Sequence, residues 1–147
     1  MVKLTEHFKL EEFIFSDYAL RNGIDNTPPP VIIENLIILC QHTLEPIRLL
    51  VNRPVHIISG YRNVLVNEGI GGSSNSQHLL GRAADVRIYG YTPNELCTLI
   101  LNNSIPFDQL INEFDSWTHI SYSEVYNRKE HFKITNDEFG RRKVIRT

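Results

Sequence analysis

Ser76-Gln77-His78-Leu79-Leu80-Gly81-Arg82-Ala83-Ala84-Asp85 is the stretch on which the fold turns. A flexible run, Gly71-Gly72-Ser73-Ser74-Asn75, leads into it, and a strand-like segment from Ala83 to Tyr89 leads out. It places a histidine at a loop end and a carboxylate in a segment that favours burial. Further on, Trp117-Thr118-His119-Ile120-Ser121 supplies a second histidine. His78, Asp85 and His119 would form a three-ligand set for zinc. A fourth position would stay open for water, as in catalytic rather than closed structural zinc sites. Each residue alone also admits a plainer role. His78 reads as a solvated loop residue, Asp85 as a partner of Arg82 or Arg87, and His119 as a hydrogen-bonded core histidine. A buried carboxylate needs a cation, a hydrogen-bond network or a metal, so Asp85 is the most demanding of the three.

Outward from this stretch the chain reads as helices first, then strands with one helix between them. Residues 4–23 suggest short helical turns ending at Asn22-Gly23. Pro28-Pro29-Pro30 is a stiff break, after which Ile32, Leu36, Leu39, Cys40, Thr43, Leu44 and Ile47 recur at helical spacing. That pattern predicts a long helix from Val31 to Leu50, kinked or shortened at Pro46. Pro54 to Ser59 and Ala83 to Tyr89 read as strands. Thr92-Pro93-Asn94-Glu95 is a capped helix start, with the helix running to Asn102. Asp108 to Glu113 and Trp117 to Tyr122 read as a hairpin around Phe114-Asp115-Ser116. Residues 129–147 carry Arg141, Arg142, Lys143 and Arg146 and read as a solvated, partly ordered basic tail, within the main domain or flexible. The pattern is that of an α+β domain over residues 1–128, with a small, mainly antiparallel sheet flanked by helices.

Ser59-Gly60-Tyr61-Arg62, Gly71-Gly72, Ser76-x-His78-x-x-Gly81-x-Ala83-x-Asp85 and Trp117-x-His119 occur in that order. Together with Asn26-Thr27-Pro28-Pro29-Pro30 and Phe107-Asp108-Gln109-Leu110-Ile111, they resemble the zinc D-alanyl-D-alanine carboxypeptidase family. The resemblance spans residues 4–128. It implies the hedgehog/D-Ala-D-Ala peptidase fold, with one zinc ion held by His78, Asp85 and His119. It also implies active-site duty for Arg62, and for Ser76 as a group that hydrogen-bonds substrate.

Hydrolysis needs a base to take a proton from water. Glu113 and Asp115 are the candidates. Some members of the family place the acid three residues before the last histidine, where this chain has Ser116. Glu113 lies at the offset at which the hedgehog signalling domain, of the same fold, has a glutamate. Its plain alternative is an exposed charge at a strand end, and that of Asp115 is a turn residue. For Arg62 the alternative is a surface pair with Glu68, and for Ser76 a loop cap. Asp108 and Gln109 are candidate partners for orienting a histidine. His42 reads as helix surface and His56 as strand packing.

At 147 residues the chain can bury a core without disulfides. Cys40 and Cys97 lie in apolar helical stretches and form no CxxC, so buried thiols are expected rather than zinc ligands. A net charge of -2 argues against a nucleic-acid partner bound through a basic surface. The N-terminal residues form no apolar signal core, and no run is long enough for stable membrane insertion. The expectation is a monomer, cytoplasmic where it is made. Its substrate would be a peptidoglycan stem peptide, and it would work as a D-Ala carboxypeptidase or as an endopeptidase of the phage or prophage lysin kind. The alternative is a non-catalytic zinc-binding recognition domain on the same fold.

Overall fold

A computed structural model describes residues 2–146; Met1 and Thr147 lie outside the described residues. A two-stranded hairpin, β1 (Lys3–Thr5) and β2 (Phe8–Lys9), comes first. Two single-turn helices follow, α1 (Leu10–Ile14) and α2 (Asp17–Arg21). The helical turns are those expected, but the opening residues pair as strands. Leu4 and Phe8 are buried while Lys3 and Lys9 stay exposed, so the hairpin closes one end of the core.

The long helix is one rod in three parts. α3 (Pro30–Leu39) continues through a π-helical turn, Cys40–Leu44, into α4 (Glu45–Val51). Proline has no N–H, and its ring collides with the carbonyl four residues earlier. Widening the turn before Pro46, so that the Glu45 N–H donates to Cys40 O, lets the helix run on. It ends at Asn52, which adopts the left-handed conformation.

β3 (His56–Ser59) leads to α5 (Val64–Gly69), capped by Asn63. A 3-10 turn, Gln77–Leu80, precedes β4 (Ala83–Arg87). α6 (Pro93–Asn102) starts with the expected capping box between Thr92 and Glu95. β5 (Gln109–Glu113) and β6 (Trp117–Ser121) form the expected hairpin.

Residues 129–147 depart from expectation. They contain β7 (Glu130–Asn136) and β8 (Arg142–Arg146), which join the main sheet rather than trailing in solvent. The sheet therefore has six strands, in the order β3-β4-β6-β5-β7-β8, and is larger than the small sheet expected. It is antiparallel except for β5 and β7, which run parallel. The physical reason is apolar alternation. Phe132 and Ile134 point to one face and bury against Ile111, forming a small second core with Phe114.

The main core lies on the other face of the sheet. Ala84, Val86, Leu110 and Ile120 pack there against Leu36, Leu39, Leu44 and Ile47 of the long helix and Leu96 and Ile100 of α6. Burial of each such side chain contributes about 1.5–3 kcal/mol. Because strand side chains alternate, the residues between them point to the opposite face. Asp85, Ile111, Glu113, Trp117 and His119 are among these.

Candidate metal centre

Asp85 and His119 are direct cross-strand partners on β4 and β6, so the sheet register alone brings them together. His119 Nδ1 lies 3.0 Å from Asp85 Oδ1. His78 reaches the same carboxylate from the 3-10 turn before β4, with Nε2 3.3 Å from Asp85 Oδ2. One donor atom from each of the three residues lies within 4.8 Å of the others. All three side chains are buried.

Local sequence fixes that turn. The Ser76 hydroxyl accepts the His78 backbone N–H at 3.2 Å and caps its start. Gly81 ends it with φ of +68°, and a Cβ there would meet Ile32 Cγ2 at 2.7 Å. The carbonyl of His78 accepts the backbone N–H of Arg62 at 3.1 Å, which ties the Ser59–Arg62 loop to the turn. Asn26 braces the same loop. Its amide donates to Ile14 O and Tyr61 O, and its oxygen accepts from Asn63 N.

His78 Nδ1 lies 2.6 Å from Gly60 O. A carbonyl only accepts, so Nδ1 carries the proton and Nε2 is left as a bare lone pair facing Asp85. That is the tautomer a metal-ligating histidine needs, set by a backbone oxygen. Burial lowers the His78 pKa against the pull of Asp85, which also favours the neutral ring. Burial alone would raise the Asp85 carboxyl, and the positive charge of His78 and His119 when protonated pulls it below the usual carboxylate range, a part that a bound cation would take over once His78 is neutral. Two neutral-capable nitrogens and an ionised oxygen, buried together, fit zinc, for which imidazole and carboxylate are ordinary ligands.

The three residues open onto a cleft of about 590 Å³ that also includes Ser59, Arg62, Ser76, Glu113, Trp117 and the loop from Ile70 to Ser73. Asn67 pins that loop by donating to Ser73 O at 2.8 Å. Glu113 Oε1 lies 4.0 Å from His119 Nδ1. Burial and the neighbouring Asp85 raise its pKa, against the pull of His119, Arg142 and Arg62. Arg62 is largely withdrawn from water, which lowers its pKa while Asp85 and Glu113 raise it. Its Nε is buried without a hydrogen-bond partner. Ser76 lines the cleft as well as capping the turn, and its hydroxyl proton remains free to donate.

Asp115 is placed elsewhere. It and Phe114 have positive φ in the β5–β6 turn. Its carboxylate accepts from Asn112 Nδ2 at 2.9 Å and pairs with Lys133 Nζ at 3.0 Å. It does not line the cleft. Arg87 donates to Ser116 O, so it is not the partner of Asp85. Asp108 accepts from Gln77 and Arg128, and Gln109 donates to Glu130; both hydrogen-bond neighbours of the site rather than its histidines. His42 is exposed as expected and stacks on Tyr122, whereas His56 is exposed rather than packed.

Reasoning from sequence missed two cleft residues, Arg128 and Arg142. Arg142 belongs to the region read as a tail, where only the alternation of Phe132 and Ile134 hinted at strands, and Arg128 lies just before that region. It also missed the Gly60 carbonyl, for which a backbone acceptor leaves no signal beyond the glycine itself.

No curated protein matches the chain. A family model described as Peptidase M15 matches residues 6–121, a span that contains His78, Asp85, Glu113 and His119. The chain belongs to the peptidase M15 family, of the zinc D-Ala-D-Ala carboxypeptidase type.

Proposed function

We propose that the chain is a zinc-dependent peptidase that hydrolyses peptide bonds in peptidoglycan stem peptides, next to D-alanine or another D-centre. The observation that carries this reading is Glu113. It stands beside the His78–Asp85–His119 cluster with its carboxyl pKa raised, and no lysine or arginine among the described residues is in ion-pair contact with it. A carboxylate poised in this way suits general-base work. The hedgehog signalling domain shares a glutamate at this offset, so it is Glu113 together with Arg62, whose Nε is buried without a partner in the same cleft, that favours the catalytic reading over the binding one.

His78 Nε2, the Asp85 carboxylate and His119 Nδ1 would hold the metal. When bound, zinc supplies Lewis acidity, polarising a carbonyl and lowering the pKa of water to about 7. The chain's own residues do the rest. Glu113 takes one proton from the attacking water on a carboxylate oxygen as the new C–O bond forms. It returns that proton to the amide nitrogen as the C–N bond breaks, and the second water proton passes from the new carboxyl group to the amine, leaving a carboxylate and an ammonium group. The Arg62 guanidinium, with its Nε unpartnered, offers hydrogen bonds to the oxyanion that develops or to a substrate carboxylate. Ser76 offers its hydroxyl proton to the peptide backbone.

The test is digestion of purified peptidoglycan by the zinc-loaded protein, with and without a chelator, read by mass spectrometry. Released D-alanine marks a carboxypeptidase and split cross-links mark an endopeptidase. The absence of any zinc-dependent product would sink the proposal.

A further inference from the structure

Arg142 lies beyond residue 121, where the family match ends, yet it lines the same cleft as Glu113 and His119. The register explains why. Glu113 pairs with Ile134 and Ile134 with Val144, while Arg142 pairs with Asn136, one step further on the same face. Two strand spacings separate β5 from β8, so Arg142 stands on the order of 10 Å to the side of Glu113.

Four other cations of this hairpin are already matched, and Lys129 and Lys143, which have no ion pair among the described residues, do not line the cleft. Arg128 reaches Asp108 at 2.7 Å and Glu130 at 3.3 Å. Lys133 pairs with Asp115, Arg141 with Asp137, and Arg146 with Glu130. Among the described residues no carboxylate lies in ion-pair contact with Arg142. The cleft thus holds two guanidinium groups without a carboxylate in contact. Arg62 is deep, beside the metal cluster, and Arg142 is on the rim.

We infer that Arg142 is a specificity-determining residue that binds a second carboxylate of the substrate, displaced from the scissile bond by two or three residues. An extended peptide advances about 3.3 Å per residue, so a group two to three residues away spans the distance from Glu113 to Arg142. Guanidinium forks onto a carboxylate with two parallel hydrogen bonds, a fit that a carboxamide lacks. In a stem peptide whose glutamate is linked through its side chain, the free α-carboxylate is the group of this description. The inference rests on the peptidase reading above for its substrate.

Three synthetic pentapeptides separate the sources of carboxylate: L-Ala–γ-D-Glu–L-Lys–D-Ala–D-Ala, the same peptide with D-isoglutamine, and the same peptide with a C-terminal amide. Zinc-loaded wild type should show a KM about fivefold lower for the free α-carboxylate than for isoglutamine, a preference that shrinks at high salt as an exposed charge pair should. Arg142→Gln should bring that ratio to near one and leave the penalty for the C-terminal amide in place. Lys143→Gln, on the opposite face of β8, should leave the ratio as in wild type. Equal KM values in wild type, or a preference that survives in Arg142→Gln, would overturn the inference alone. Trp117 is the chain's single tryptophan and lines the cleft, so its fluorescence reads peptide binding without turnover. Binding with the acid preference but no hydrolysis would sink the peptidase reading and keep the inference, and no binding of any peptide would sink both.

Discussion

His78 Nδ1 donates to the carbonyl oxygen of Gly60 at 2.6 Å, and this bond decides which nitrogen of the ring faces Asp85. Gly60 is held in place by α1. A Cβ at position 60 would lie 2.7 Å from both Cα and O of Phe13, both backbone atoms that cannot step aside. The neighbouring N–H of Tyr61 donates to Phe13 O at 2.7 Å. Gly60→Ala should therefore push the loop away from α1 and misplace the carbonyl that orients His78. Zinc affinity should fall at least about 10-fold, the usual cost of losing a partner behind a metal-ligating histidine. Competition with a chromophoric chelator measures this. An unchanged affinity would show that the ring is oriented by something else.

Glu113→Gln and Asp115→Asn should separate the two acidic candidates. Glu113 lies beside His119 in the cleft, while Asp115 serves the turn with Asn112 and Lys133. Glu113→Gln should lower kcat by about 100-fold to 10,000-fold, the range for loss of a general base. It should retain zinc. Asp115→Asn should leave kcat within about twofold and cost less than about 1 kcal/mol, as expected for an exposed ion pair. Peptide turnover with zinc content measured on the same samples distinguishes the cases. Loss of turnover in the Asp115 variant alone would transfer the base to that residue.

The parts of the fold legible in the sequence were those set by local chemistry. Thr92, Pro93 and Glu95 specify the start of α6 among themselves, and Asn112 and Asp115 close the β5–β6 turn within four residues. The candidate metal ligands His78, Asp85 and His119 were legible only through the ordered pattern around them, since each alone admits a plainer role. β7 was hidden because its partner β5 runs parallel to it and is separated from it in the chain by β6 and residues 122–129, and its two buried residues are outnumbered by polar ones. A basic, solvated reading of that stretch follows from composition, since the pairing that overrides it is non-local. The π turn before Pro46 was hidden too: a proline inside an apolar pattern signals a break or a kink, and only the structure shows the helix widening to absorb it.

Asp108 gives a pH prediction away from the metal ligands. It accepts from Arg128 N at 2.7 Å, Arg128 Nε at 3.0 Å, Arg128 Nη2 at 2.7 Å and Gln77 Nε2 at 2.8 Å. Burial pushes its carboxyl up, but the Arg128 and Gln77 hydrogen bonds outweigh that and leave the pKa below its ordinary value. A folded pKa below the unfolded one means the stabilisation is complete above the unfolded pKa of about 3.9 and is lost as pH falls through the lower folded value. Asp108→Asn should therefore lower stability at pH 7 by about 2 kcal/mol, on the scale of hydrogen bonds to a charged group. It should also flatten the fall in stability below about pH 4. Urea melts at pH 7 and in acid measure both, and parallel curves for the two proteins would refute the assignment.

Cys40 and Cys97 should be chemically silent in the native state. Both are buried, with 0% and 2% of their surface exposed. Burial pushes the Cys97 thiol up to about 12, and burial together with Glu45 and Glu12 pushes Cys40 well above the ordinary thiol range. Only the thiolate attacks a disulfide reagent, so neither side chain should react at neutral pH while folded. Labelling with a chromogenic disulfide should be slow in buffer and reach two thiols per chain in denaturant. Fast labelling of either cysteine would mean that its helix opens readily.

The C-terminal hairpin should be part of the fold's stability and not an appendage. Ile134 is 1% exposed, and with Phe132 it covers Ile111, which itself pairs with His119. Removing a buried isoleucine to its Cβ costs about 2–5 kcal/mol, and the low end suits a cluster this small. Ile134→Ala should thus lower stability by about 2 kcal/mol in urea melts. Ending the chain after Arg128 is a harsher change. It leaves the outer edge of β5 unpaired, exposes Ile111, and strips Gln109 and Arg128 of Glu130. An unpaired edge beside uncovered apolar surface favours association between chains. The shortened protein should melt at lower temperature and self-associate in sedimentation. If it instead sediments as the full chain does, with the same melting temperature, β7 and β8 contribute nothing to the core, and their burial of Ile111 has no energetic weight.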